Sequence, residues 1–182
     1  MAEAPVSSSD LLGTVFADGQ ANGSITAEDM RDLIVSLMPA HGSASLASNA
    51  TATTISVATT YYAISGTFVV GGSPASVTES AAGGKMTYTG TIDRHFHIVA
   101  NMDMTCASNS QILAFQWHLN GSPISCGVNR KVGTGADVGA ASVHADAMLS
   151  ENDELELRVT NLTSTASVTV QNCYVFVLGM LV

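Results

Sequence analysis

The closing stretch of this 182-residue chain, Ser167 to Val182 (SVTVQNCYVFVLGMLV), constrains the fold more than any other. Val168 and Val170 alternate with Thr169 and Gln171, the period of a strand with one face buried; from Cys173 onward, apolar residues occupy both faces. Tyr174, Phe176, Leu178 and Met180 are expected to face a sandwich core. Val175, Val177 and Leu181 then need separate cover, either from a second sheet and a helix of the same monomer or, more simply, from a neighbouring copy. The apolar run is about half of the roughly 20 residues that span a bilayer, and no basic flank follows it, so no membrane anchor is expected.

Hydrophobic residues make up 46% of the chain, enough for a core, and charged residues only 12%, so contacts lean on apolar groups and on Ser, Thr and Asn. A formal net charge of −9, with Arg130 and Lys131 as the densest basic spot, repels phosphate backbones and anionic lipid. Nucleic acid and membrane are therefore not expected partners. Cys106, Cys126 and Cys173 are an odd count without ligand spacing, which points to reduced thiols, Cys173 serving the core. The opening MAEAPVSSSD has neither a basic nor an apolar signal region, so synthesis in a cytoplasm is expected.

Along the chain, residues 1 to 24 have no lasting period and predict an extended arm whose apolar beads, Leu11, Leu12, Val15 and Phe16, dock on a partner surface. Ile25 to Met38 predicts one short amphipathic helix, N-capped by Thr26, closed by Pro39, with Met30, Leu33, Ile34 and Leu37 on its apolar face. A helix this short is marginal alone and must pack on its own domain or on a partner. Residues 1–40 thus form an anchor unit. Residues 41–60, small, polar and uncharged, read as a linker ending in a first strand from Thr54 to Ala58.

From residue 61 to 182 the signals are strands: Tyr61 to Val70, Lys85 to Gly90, His95 to Thr105, Gln111 to Asn120, Ser122 to Val128, Ala141 to Leu149, Leu155 to Val159 and the closing stretch. Leu113, Phe115, Trp117 and Leu119 alternate against Ala114, Gln116, His118 and Asn120, which leaves His118 on the surface, and Asn120-Gly121 predicts a hairpin turn. Strands with no helix between them predict an antiparallel jelly-roll β-sandwich, mainly β, behind the arm and helix.

His95-Phe-His-Ile-Val99, Phe115-Gln-Trp-His-Leu-Asn-Gly121 and Leu149-Ser-Glu-Asn-Asp-Glu-Leu-Glu-Leu-Arg-Val-Thr-Asn161, with the apolar closing strand, resemble the C1q/TNF-like trimeric jelly-roll group found in bacteriophage structural proteins. The front, Phe16-Ala-Asp18 leading into Ile25-Thr-Ala-Glu-Asp-Met-Arg-Asp-Leu33, is similar to phage tail-fibre and head-decoration proteins. The resemblance implies a homotrimer formed through apolar faces, here Val175, Val177 and Leu181. It also implies an arm and helix that grip the major capsid protein of the phage head, and residence in the virion as a capsid decoration or cement protein. The alternative it leaves is a fibre tip that binds a host-surface receptor or glycan through the loops Gly71 to Gly84 and Gly133 to Gly139.

No enzyme chemistry is expected. Asp93, His95 and His97 alternate at a strand start and are read as exposed polar side chains, so neither a metal nor a cofactor is assigned. Gly133 to Gly139 lacks the spacing and strand-to-helix context of a dinucleotide loop, and no GxSxG, HExxH or P-loop is present, so no catalytic residue is named.

Overall fold

The computed structural model describes residues 26–72, 74–133 and 137–180. Leu11, Leu12, Val15, Phe16 and Leu181 lie outside them. The described residues open with helix α1 (Ala27–Leu37), capped as expected: the Asp29 amide donates to Thr26 Oγ1 (3.1 Å), while the Thr26 amide and hydroxyl each donate to the Asp29 carboxylate at 2.7 Å. Those two donors hold the Asp29 carboxyl below its ordinary pKa.

Eleven strands follow among the described residues: β1 (His41–Leu46), β2 (Tyr62–Ala63), β3 (Val69–Val70), β4 (Val77–Glu79), β5 (Met86–Tyr88), β6 (Arg94–Cys106), β7 (Gln111–Leu119), β8 (Ser122–Val132), β9 (Gly139–Leu149), β10 (Glu154–Asn161) and β11 (Val168–Gly179). One sheet runs β3-β1-β11-β6-β9; the other runs β4-β5-β10-β7-β8, with β2 also paired to β10. All the pairings are antiparallel, and from β8 onward the chain changes sheet at every connection, β8 to β9, β9 to β10 and β10 to β11. That is the jelly-roll sandwich the strand pattern predicted.

Between the sheets lies one core, with Leu113, Phe115 and Trp117 of β7 and Leu155, Leu157 and Val159 of β10 facing Phe96, Ile98 and Met104 of β6. The Asn120-Gly121 turn joins β7 to β8 with both residues at positive φ (50° and 80°), the paired left-handed conformation that a two-residue hairpin needs.

Four expectations change upstream of β11. The linker is not one: His41–Leu46 pairs with β11 over six residues, and Thr53 and Ile55 are buried beyond it. Small uncharged residues suit this place because a side chain at Gly42 would stand 2.8 Å from Val77 Cγ1. The stretch Tyr61 to Val70 divides into β2 and β3 on different sheets, while Thr53, in place of a strand from Thr54 to Ala58, makes a single bridge to Val168. His118 is buried, because the Tyr61 ring lies over it at 5.3 Å between centroids.

The largest change concerns β11. Val168 and Val170 face the core, as their period requires, but the pairing with β6 slips between Val170 and Asn172. Gln171 is the extra residue of a β-bulge. Its carbonyl accepts from the Asn49 amide (2.9 Å), and the Asp103 carboxylate takes both the Asn172 backbone amide (3.0 Å) and the Asn172 side-chain amide (2.9 Å). One inserted residue reverses the phase, so Cys173, Val175 and Val177 point inward. Deleting Gln171 is therefore expected to leave a chain that folds, because Asn172 then follows Val170 directly and plain alternation keeps Cys173, Val175 and Val177 inward, whereas deleting Gln171 together with Asn172 is expected to prevent folding, because Tyr174 and Phe176 would be driven into a space shaped for Cys and Val. Circular dichroism melts of the two variants check this.

Candidate functional site

The bulge decides what the five-stranded sheet shows to solvent. Val175 and Val177, the expected trimer contacts, are each only 1% exposed within one copy and therefore belong to the monomer's core. Tyr174 and Leu178, expected inside, are 48% and 37% exposed, and Met180 beyond them is exposed as well. The assignment of faces by simple alternation is thus reversed downstream of Gln171.

Register lines the outward side chains into rows across β1, β11, β6 and β9. Ser45, Tyr174, Asn101 and Ser142 form one; Ser43, Phe176, Val99 and His144 the next; His41, Leu178, His97 and Asp146 a third. Beyond them Met180, whose amide donates to the His95 carbonyl at 2.7 Å, brings the stripe to His95 and its partner Met148. An apolar ridge of Tyr174, Phe176, Leu178 and Met180 therefore runs along the middle of an open sheet face. Next to Tyr174 the small residues Ser45, Ala47, Ala141 and Ser142 leave a shallow groove of about 750 Å³.

His97 does not join Asp93 and His95 as sequence spacing allowed. Its Nδ1 lies 2.8 Å from Asp146 Oδ1, and its ring lies 5.6 Å from that of His144, whose Nε2 is 3.1 Å from Ser142 Oγ. β-Sheet register brings these groups together from positions almost fifty residues apart, which spacing within one strand cannot reveal. Under the same sheet, burial and then the Asp103 charge push the Cys173 thiol up to about 12.

The second open surface is on α1. Met30, Ile34 and Leu37 are exposed and Leu33 is half-buried, so the helix does not lay its apolar face on its own sandwich. It leaves at one end of the sandwich, where Arg94 Nη1 donates to the Met38 carbonyl (3.0 Å) and the Gly179 amide to the Ala40 carbonyl (2.7 Å). Gly71 to Gly84 lies by the same end and is no free tip: Ala75 bridges to His41 and Val77–Glu79 is β4. The opposite end carries residues 107–110 and Gly133, whose carbonyl accepts from the Ser110 amide. No described helix is long and apolar enough to cross a membrane.

No family profile and no curated protein matches the chain. Solved structures match it in shape. Eiger TNF from S. frugiperda aligns over 78% of this chain and 93% of its own, with 10% identity and a TM-score of 0.48. Murine APRIL aligns over 77% of this chain and 99% of its own, with 7% identity and a TM-score of 0.49. At such identities the likeness concerns shape alone, and the jelly roll itself rests on the strand order above.

Two outcomes follow from this placement of side chains. Val177→Asp is expected to unfold the chain, since an unpaired carboxylate in the core costs several kcal/mol, whereas Leu178→Asp is expected to fold with the parent's strand signal; circular dichroism spectra at room temperature separate the two. Cys173 is expected to resist iodoacetamide at neutral pH until denaturant is added, as mass spectrometry can show. Above about pH 9 the unfolded chain loses this proton while the folded chain keeps it, so stability falls as pH rises toward 12.

Proposed function

We propose that this chain is a structural protein of a virus particle, a homotrimer that decorates a phage head and stabilises it by non-covalent contacts alone. The observation that carries the proposal is the ridge Tyr174, Phe176, Leu178 and Met180 on the open face of a sandwich whose core is already complete. Returning such a ridge to cover stabilises by roughly 25 cal/mol per Å² of apolar surface, and copies of one chain supply matching ridges without a second gene product. The trimer contact proposed here is the outward row of β11 in place of Val175 and Val177.

The anchor is drawn back from residues 1–40 to residues 1–37, because the Met38 and Ala40 carbonyls are tied to the sandwich. The exposed face of Met30, Ile34 and Leu37 supports a role in gripping the major capsid protein, and the helix leaves from one pole of the sandwich, so the other pole projects. Three weak anchors on one trimer bind as a unit through effective concentration, which stabilises an assembled shell by mass action. The resemblance to phage head-decoration proteins supports the same assignment. A fibre tip that meets a host-surface receptor uses the same trimer, with the projecting end near Gly133 as its contact.

Sedimentation equilibrium at micromolar concentration is expected to give a trimer for the parent, a folded monomer for Leu178→Asp, and a trimer for the chain lacking residues 1–37. That truncated trimer is expected to lose binding to undecorated heads in a pull-down. A parent that stays monomeric overturns the assembly, and full binding by the truncated trimer moves the shell contact onto the sandwich. Immunogold labelling across the whole shell supports decoration; label at one vertex or on the tail favours the fibre tip.

A further inference from the structure

The sequence holds six Lys and Arg residues. Lys85 is paired with Glu154 (2.9 Å) and Arg158 with Glu156 (2.5 Å), Arg94 turns inward to the Met38 carbonyl, and Arg31 belongs to α1. The other two, Arg130 and Lys131, are consecutive on β8 and exposed, and neither makes an ion pair or a hydrogen bond among the described residues. Register sets Arg130 opposite Leu113 and Lys131 opposite Ile112, at the start of β7, so both lie toward the end of the sandwich away from α1. Arg130 runs across to β9: a side chain at Gly139 would stand 3.1 Å from its Cγ and Nε, so the missing Cβ leaves room for the stem. Lys131 stands on the outer face beside Ile112, whose amide donates to Thr163 Oγ1 (3.0 Å) and whose carbonyl accepts from the Leu162 amide (2.8 Å). The exposed hydroxyls of Ser108, Ser110, Thr163 and Thr165 share this end with the exposed apolar side chains of Ile112 and Leu162.

Acids are distributed the other way. Glu28, Asp29, Asp93, Glu151 and Asp153 gather at the α1 end, on the helix, just before β6 and in the turn from β9 to β10. At the Arg130 end the described acids are Asp103 and Asp137, and each is engaged, Asp103 with Asn172 and Asp137 with the Gly133 amide (2.8 Å). The two cations therefore give this pole a positive charge that the fold does not neutralise.

We propose that this pole binds an acidic polysaccharide whose sugars carry carboxylates at intervals. Arg130 and Lys131 pair with the carboxylates, and the surrounding Ser and Thr hydroxyls meet those of the sugars. A guanidinium matches a carboxylate with two parallel hydrogen bonds, and an ammonium adds a point charge. Ile112 and Leu162 offer apolar contact to the ring faces. The net charge of −9 does not oppose this, because charges more than roughly 10 Å apart are largely screened at ordinary ionic strength, and the acids gather at the far end. Nucleic acid fits less well: its closely spaced phosphates call for a longer basic track than two cations, and no aromatic ring stands among these residues for bases to stack on. The proposal goes beyond the assembly described under Proposed function, since one copy presents this pole as fully as a trimer does. Charges on an edge strand also deter pairing between sheets, a role that the test separates from binding.

The test is biolayer interferometry of the full chain on immobilised polygalacturonate, with neutral dextran and single-stranded DNA as parallel surfaces, at about 0.05 M and 0.5 M salt. Beside the parent runs the variant Arg130→Gln, Lys131→Gln; should it fold poorly by circular dichroism, Lys131→Gln alone takes its place. The parent is expected to bind polygalacturonate and not dextran, and to bind it at least about fivefold more weakly at the higher salt. Either variant is expected to bind at least about fivefold more weakly than the parent. A parent that does not bind polygalacturonate, a variant that binds it as the parent does, or DNA bound as tightly as polygalacturonate overturns the site. A variant that aggregates yet keeps the parent's binding marks the pair as guards of the β8 edge and overturns it too. None of these outcomes bears on the assembly, which sedimentation reads independently.

Discussion

The bulge at Gln171 is the constraint on which the exposed surface of this sandwich depends. A strand's side chains alternate with a period of two, so one inserted residue exchanges the two faces for everything downstream. Upstream of it Val168 and Val170 fill the core; downstream Cys173, Val175 and Val177 do, and the larger Tyr174, Phe176 and Leu178 are turned outward. The polar contacts of Asp103 with Asn172, and of Asn49 with the Gln171 carbonyl, satisfy backbone groups that the interrupted ladder leaves over. Residues 47–55, joined to β1, thus help to hold the bulge in place.

From that exchange come both the apolar ridge and its companions. On β11 the small β-branched Val residues pack between the closely facing sheets, while Tyr174, Phe176 and Leu178 stand on the open face. The same face has no Lys or Arg among its outward strand positions, although the chain as a whole is acidic. Its fixed charges are few and its titratable groups are mainly imidazoles.

How much of this was legible beforehand differs from element to element. The α1 cap, the alternation of β7, the Asn120-Gly121 turn and the positions of β6, β7, β9 and β10 are local signals, and each appears where its residues placed it. The strand β1 was hidden because HGSASL has the composition of a linker and becomes a strand through its six partners on β11. His118 was read as exposed because the residue that covers it, Tyr61, is more than fifty positions away. The apolar character of the last strand was plain, yet its faces were exchanged, since nothing in VQNCY alone marks Gln171 as the residue left unpaired.

Composition and period, then, determined by themselves that this chain is mainly β, that it folds as an antiparallel sandwich behind one short helix, and that its final strand carries more apolar surface than one core can cover. Only the tertiary structure decided which half of that surface is left over, and which histidines share it. The reason is physical: strand period is a property of neighbouring residues, but the register that places a bulge, and sets His97 beside Asp146 and His144, is fixed by hydrogen bonds between strands far apart in the chain.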